Sequence, residues 1–346
     1  MTVKAPHPVI AVITPTKNRQ ELLRQAIASV QAQDFTDWEH IIVDDGSDDG
    51  TLEEVAALAQ LDPRIRLLRP ECDKGGANVC RNHGVRAALA DLIVFLDSDD
   101  ILAPQALGRR VEVMIRNLDC DFVTFQTAVF VRQIGDLNRE QCSDLLGDDL
   151  TQFLYFELPW IITAPTWRKA TLLRLGLLDE MLLSWQDVEL HIRALTAGCR
   201  YLRFSEVDHH VRWQFEETKV SVEQRRSPRH LTAAGTILET FERLVHQGPG
   251  MTWVRQRALC SLYFFVAELW MDLGKTTEAM EFWGRIRKRR LGPASLHAAG
   301  ALLLRLQAPS APFRTPAARL CHKWKGWVRL RTNPELLAPI AKRASA

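Results

Sequence analysis

The chain has 346 residues, 47% hydrophobic and 25% charged, with a formal net charge of +2; this composition excludes a wholly disordered polypeptide and supports a large core with an appendage. No run of 18 or more apolar residues occurs, and Met1 to Pro8 carries no basic stretch leading into an apolar one, so neither a spanning helix nor a secretory leader is expected. Seven scattered cysteines (Cys72, Cys80, Cys120, Cys142, Cys199, Cys260 and Cys321), none in a Cys-x-x-Cys spacing, argue against a disulfide framework or a thiolate zinc site and fit a cytoplasmic protein.

Val9 to Thr14 reads as a buried strand. Leu22, Leu23, Ala26, Ile27 and Val30 then repeat at helical spacing, and the helix ends near Gln33. A second strand, His40 to Val43, runs into Asp44-Asp45-Gly46-Ser47. Leu52 to Leu61 reads as a helix, Ile65 to Leu68 as a strand, Ala77 to Leu89 as a helix and Leu92 to Leu96 as a strand ending at Asp97; a helix is expected over Ile101 to Arg116. Val/Ile-rich runs alternating with helical patterns predict an α/β fold, a Rossmann-like, mostly parallel sheet flanked by helices. Residues 148–214 are mixed, with a short strand-like run at Arg200 to Phe204, and from Arg229 onward the pattern is helical. A boundary near Ser221 to Pro228 divides residues 1–220 from a helical, basic extension over 221–346.

In open α/β sheets ligands bind beyond the carboxyl ends of the strands. Three polar clusters sit there: Pro15-Thr16-Lys17-Asn18-Arg19, Asp44-Asp45-Gly46-Ser47 and Asp97-Ser98-Asp99-Asp100. Asp97, Asp99 and Asp100 repel one another unless a cation or other positive group neutralises them, and hard oxygen ligands select Mn²⁺ or Mg²⁺. The competing use of these aspartates is to cap the following helix, which needs one of them rather than three. A carboxylate in the second cluster can accept a hydrogen bond from a nucleobase imide, although the same residues also make ordinary turns. Lys74, ahead of Gly75-Gly76, and Arg81 are candidate phosphate partners.

Val-Ile-Thr-Pro-Thr-Lys-Asn-Arg (12–19), Val-Asp-Asp-Gly-Ser-Asp-Asp-Gly-Thr (43–51), Gly-Gly-Ala-Asn-Val-Cys-Arg-Asn-His-Gly (75–84) and Phe-Leu-Asp-Ser-Asp-Asp (95–100), in that order, resemble the family 2 glycosyltransferases of GT-A fold. The resemblance implies an inverting transfer of a sugar from a nucleotide-diphosphate sugar, with a UDP-sugar favoured, onto a glycan or lipid-linked acceptor in cell-surface polysaccharide or glycolipid assembly. It implies that Pro15, Thr16 and Asp45 hold the nucleoside, with Asn18, Arg19, Asp44, Lys74, Arg81 and Ser98 around the same donor. The D-x-D pair, Asp97 and Asp99, would handle diphosphate and metal. Lys17 departs from the family, where an aromatic residue is commoner.

The resemblance continues through Leu175 to Glu180 and Ser184 to Leu190, where a Glu-Asp pair is replaced by Gln186-Asp187. It makes Asp187 the expected general base, taking the proton of the acceptor hydroxyl; the bland alternative is a helix N-cap. His209 or His210, with His210 preferred, would complete a metal shell, though a histidine is more often structural. Among Trp160, Trp167, Trp185 and Trp213, Trp185 is the candidate for acceptor stacking.

Leu262, Phe265, Val266, Leu269 and Leu273 form an apolar stripe that reads as core or partner interface. Residues 285–346 hold 14 Lys and Arg against the single acid Glu335, leaving the preceding 284 residues at −11. Lys323-Trp324-Lys325-Gly326-Trp327-Val328-Arg329-Leu330-Arg331 interleaves basic and aromatic residues, which suits an anionic membrane surface on the inner face of the plasma membrane; no nucleic-acid partner is expected. Two rivals stay open. A nucleotidyltransferase would carry a glycine-rich loop after the first strand, where this chain has Pro15 to Asn18; a non-catalytic scaffold would explain Gln186.

Overall fold

The computed structural model describes residues 7–70, 75–137, 139–140, 148–213 and 227–307. Its centre is an eight-stranded sheet of order β3-β2-β1-β4-β7-β6-β8-β5. The strands are β1 (Ile10–Thr16), β2 (Trp38–Asp44), β3 (Ile65–Leu68), β4 (Leu92–Phe95), β5 (Ile101–Leu102), β6 (Phe122–Phe130), β7 (Pro165–Arg168) and β8 (Tyr201–Arg212). β1 pairs in parallel with β2 and β4, and β2 with β3, so their carboxyl ends lie on one edge. β7 is antiparallel to β4 and β6, while β6 and β8 are parallel. This is the mostly parallel α/β sheet that the sequence predicts.

The helices are α1 (Gln20–Gln31), α2 (Thr51–Leu61), α3 (Ala77–Ala87), α4 (Ala106–Arg116), α5 (Asp149–Leu154), α6 (Lys169–Leu175), α7 (Gln186–Thr196), α8 (Pro228–Gln247), α9 (Trp253–Asp272), α10 (Thr276–Lys288) and α11 (Ala294–Gln307). Alternate residues of a strand point to opposite faces, and here both faces are covered. Ile10, Val12, Ile42 and Val94 join a cluster with Leu23 and Ile27 of α1 and Val111 of α4. Ala11, Ile13, Ile41 and Phe95 join a second cluster with Cys80 of α3, Val188 of α7, Phe241 of α8 and Tyr263 of α9. Burial on both faces is why the strands read as unbroken apolar runs. The helices after residue 227 therefore complete the core over one face of the sheet. Leu262 and Val266 are buried there, with Phe265 and Leu269 packed against them, so the apolar stripe is core as far as Leu269; Leu273, beyond α9, is 38% exposed.

Two elements differ from the sequence reading. The helix expected over Ile101 to Arg116 is split: Ile101 and Leu102 form β5, antiparallel to His210 and His209 of β8, and α4 begins only at Ala106. The short run expected at Arg200 to Phe204 begins at Tyr201 and is the first third of a strand that continues through Arg212. Past the exposed Ser205 and Glu206, its polar continuation carries a buried network. Arg110 of α4 donates to both oxygens of Asp208 at 2.7 and 2.8 Å and to the carbonyl of Thr163 at 3.0 Å. His209 Nδ1 lies 2.8 Å from Asp208, and its Nε2 2.7 Å from Thr127 Oγ1. Arg110 and His209 are 0% exposed and Asp208 1%. The guanidinium beside Asp208 offsets its burial and holds the carboxyl at about 2.

Of residues 285–346, the described part, 285–307, is integrated: Ile286, Leu291, Leu296 and Leu304 are buried in the main core. Lys323 to Arg331 lie outside the described residues. Removing one partner of a buried ion pair strands the other, so Arg110→Met is expected to cost about 3–5 kcal/mol of stability. Urea unfolding should show a lowered midpoint at unchanged slope; a loss below about 1 kcal/mol, the size of a surface pair, would mean that β8 is held by its ladder alone.

Candidate functional site

The three polar clusters meet where the sheet edge predicts. Asp45 N–H donates to the carbonyl of Thr16 at 2.9 Å, joining the loops after β1 and β2. Asn18, at φ 50°, donates its N–H to Ser47 Oγ and accepts from the N–H of Asp48, both at 2.9 Å. Asp44 is turned inward: its carboxylate accepts from the N–H of Gly46 and of Ser47, each at 3.0 Å, and pairs with Arg69 at 3.3 Å. It shapes the loop from beneath. Asp45 accepts from the N–H of Gly76 at 2.9 Å. A Cβ at Gly75 would stand 2.9 Å from the same carboxylate, so this approach requires glycine.

α3 presses close to β1, since a Cβ at Gly84 would lie 2.5 Å from Ile13 Cγ2. That contact seats Arg81, 6% exposed, at the end of β4, where it donates to Asp97 at 2.5 Å. Arg19 pairs with Asp99. Asp100 points the other way, accepting from the N–H of Arg212 at 3.2 Å and from Thr163 Oγ1 at 3.3 Å. Burial, then Asp99 and Asp97, raise its carboxyl well above the ordinary range. None of the three caps a helix: α4 starts after Gln105. Ser98 is buried in the same turn and Pro15 at the end of β1. Lys74 lies outside the described residues.

Asp187 stands in the first turn of α7, whose N-cap is Trp185 at φ 58°, so Asp187 is not the cap. Two asparagines of α3, the helix that carries Arg81, hold the loop that leads to α7. Asn82 donates to the carbonyl of Leu178 at 2.8 Å and accepts from its N–H at 3.0 Å, while Asn78 donates to the carbonyl of Asp179 at 2.7 Å. Arg193 clasps Glu189 at 2.7 Å and the carbonyls of Leu175 and Leu177, tying α7 to the same loop. Burial raises the Asp187 carboxyl above its ordinary value; Asp97 adds to the rise, and the Val188 N–H and Arg81 oppose it. Asp187, Arg81 and Asp97 thus share one electrostatic field.

The remaining candidates separate. His209 is consumed by the Arg110 network. His210, opposite Ile101 on β8, is partly buried, and burial lowers its basicity. It stands along the strand beside the carboxylate turn, but among the described residues no three His, Cys, Asp or Glu side chains gather as a preformed metal group. Trp160 and Trp167 are core residues around Phe122; Trp185 is partly buried against Phe156, ring centroids 5.1 Å apart, and Arg139 lies over Trp213. Arg69, Arg212, Asn78 and Asn82 were not singled out in the sequence. The signal for Arg69 was available, because it follows β3 as the other clusters follow their strands.

Thr16 Oγ1 and Arg81 Nε are among the buried polar atoms that lack a partner among the described residues, the others including core groups such as Trp38 Nε1 and Thr124 Oγ1. Thr16 and Arg81 belong to the crevice, and an unpaired buried donor is costly unless a ligand satisfies it. The donor set also fits a divalent cation. Two carboxylates, Asp97 and Asp99, would leave the rest of a cation's shell to phosphate oxygens and water, the usual manner of binding Mg²⁺ beside a phosphate.

Residues 11–164 match the family model of Glycosyl transferase family 2. Over 101 residues the chain is 44% identical to the GalNAc(5)-diNAcBac-PP-undecaprenol beta-1,3-glucosyltransferase of Campylobacter jejuni, covering 29% of this chain and 33% of that one. The chain spans less than half the length of this relative and of several others. The fold is similar to S. aureus TarS 1–349 in complex with UDP-GlcNAc, at TM-score 0.65 and 17% identity over 93% of this chain and 91% of that one. It is also similar to the Pyrobaculum calidifontis mannosyltransferase PcManGT in complex with GDP-Man and Mn²⁺, at TM-score 0.56 and 17% identity over 94% and 87% of the two chains. The architecture is GT-A, with a helical region after the sheet.

The neighbours of Asp187 predict opposite shifts. Removing a like charge stabilises the carboxylate, so Asp97→Asn should lower the Asp187 pKa; Arg81→Gln removes an opposing cation and should raise it. Carboxyl ¹³C NMR titration of the metal-free protein reads both. The same pKa in the two variants would place Asp187 outside this field.

Proposed function

We propose that this chain, whose residues 11–164 match the family 2 glycosyltransferase model, is a glycosyltransferase that moves one sugar, with inversion, from a UDP-sugar to a hydroxyl of a lipid-linked or glycan acceptor. The observation that carries this reading is the grouping of Asp187, Arg81 and Asp97 at the carboxyl edge of the sheet. A carboxylate made more basic by burial is better matched to accepting a hydroxyl proton. Arg81 and Arg19 bind and orient the diphosphate, while Thr16 and Asp45 hold the nucleoside. Asp97 and Asp99 would hold Mn²⁺ or Mg²⁺, which supplies charge neutralisation at the departing diphosphate; His210 is the third candidate ligand. The relative from C. jejuni is named for an undecaprenol-linked acceptor and TarS 1–349 is seen with UDP-GlcNAc; these support the acceptor and donor classes.

A thermal-shift panel of UDP, GDP, CDP and dTDP with Mn²⁺, Mg²⁺ or chelator tests the donor, because a ligand of the folded state raises its stability. UDP with metal should give the largest shift, and no shift from any diphosphate would sink the reading. Asp187→Asn should keep that shift while losing about 10²–10⁴-fold in turnover; unaltered turnover would remove Asp187 as the base.

The basic tail supports docking at an anionic inner-leaflet surface. Because residues up to 304 are core, the informative truncation ends the chain after Gln307. Flotation with phosphatidylglycerol vesicles should be lost on that truncation; unchanged flotation would refute tail docking.

A further inference from the structure

A cleft of about 500 Å³ opens beside Asp187, walled by Gly76 and Asn78 of the α3 start, Glu180, Gln186, and Arg229 and His230 of α8. It adjoins the donor crevice without coinciding with it: neither Thr16, Asp45, Asp97 nor Asp99 lines it. The two spaces touch through Asn78, which accepts from Arg81 at 3.4 Å, and through Gln186, which precedes the proposed base. A second substrate whose hydroxyl must reach Asp187 would lie here.

The charges of the walls indicate what that substrate carries. Glu180 is already answered, accepting from Asn82 at 2.9 Å with Arg86 at 3.7 Å. His230 Nδ1 lies 2.8 Å from Ser227 Oγ. Arg229 makes no hydrogen bond or ion pair with another described residue, in contrast to Arg19, Arg81, Arg110 and Arg193, each bound to a carboxylate. Among the described residues of the cleft, the unanswered charge is therefore a guanidinium, whose planar fork of donors matches phosphate.

We propose that this cleft is the acceptor site and that Arg229, supplied by the helical region, recognises a phosphate carried by the acceptor. The proposal rests on Asp187 being the base of the transfer. It gives the helices after residue 227 a part in substrate choice as well as in the core. Arg229 is exposed at the rim, so its substitution leaves folding intact.

Sugar 1-phosphates of glucose, galactose, N-acetylglucosamine and N-acetylgalactosamine are titrated against the parent sugars and inorganic phosphate, followed by protein NMR, with the donor site filled by UDP and Mn²⁺. At least one sugar phosphate should bind more tightly than both its parent sugar and inorganic phosphate. Arg229→Ala should weaken it about two- to fivefold and Arg229→Glu more, the scale of one rim ion pair, with UDP affinity unchanged. Equal binding of sugar phosphate and parent sugar, equal binding of inorganic phosphate, or affinity indifferent to Arg229 overturns the acceptor site while UDP binding stands. Failure of UDP and Mn²⁺ to bind overturns the underlying transferase reading and this proposal with it.

Discussion

Six carboxylates, Asp44, Asp45, Asp97, Asp99, Asp100 and Asp187, are brought to one edge of the sheet, and their mutual repulsion is the constraint around which the site is built. Like charges so close cannot all stay ionised without compensation. The fold answers each differently. Asp44 takes two backbone donors and Arg69, Asp45 takes the Gly76 N–H, and Asp97 and Asp99 take Arg81 and Arg19. Asp100 is withdrawn into the interior, and both it and Asp187 respond by becoming weaker acids. The arrangement stores negative charge where a cation and a nucleotide are proposed to meet.

Holding those charges in place requires rigidity from elements far apart in sequence. The parallel strands align three loops, Gly84 lets α3 lie close on β1, and Asn78 and Asn82 clamp the loop leading to α7. Side chains that bond backbone groups in both directions, as Asn82 does with Leu178, fix register more firmly than a single contact. The Arg110–Asp208 pair does the same beneath Asp100, through Thr163, which gives its carbonyl to Arg110 and its hydroxyl to Asp100. A buried pair of this kind contributes little net stability over an apolar replacement; its effect is to fix β8 against α4, and with it the alignment of β5, His210 and Arg212 beside the carboxylate turn.

β1 to β4 were legible because burial on both faces writes itself as Val/Ile runs, and the motifs after them were legible because loops at that edge are short. β5 was not: two residues between an Asp turn and a helix acquire strand character only by pairing with His209 and His210, more than a hundred positions away. The second half of β8 was hidden for a related reason. Asp208 and His209 look like loop residues until Arg110 buries with them. The asparagines of α3 were visible inside a motif, yet their work is done on carbonyls, which leave no trace in sequence. His210 remained ambiguous because partial burial suits both a ligand and a structural residue.

The pairing of Arg19 with Asp99 and Arg81 with Asp97 has a consequence for order of binding. In the proposed mode of binding an incoming diphosphate would compete with those carboxylates for the same guanidiniums, and Arg81 Nε is already without an acceptor among the described residues. Each guanidinium turned toward phosphate leaves a carboxylate less compensated, beside Asp100 and within the field of Asp187. The cost of that exposure falls if a divalent cation arrives with the nucleotide, because two positive charges then replace the diverted arginines. On the proposed site, nucleotide and cation would therefore stabilise one another's binding through residues that neither needs to share directly, and the coupling would be reciprocal by linkage.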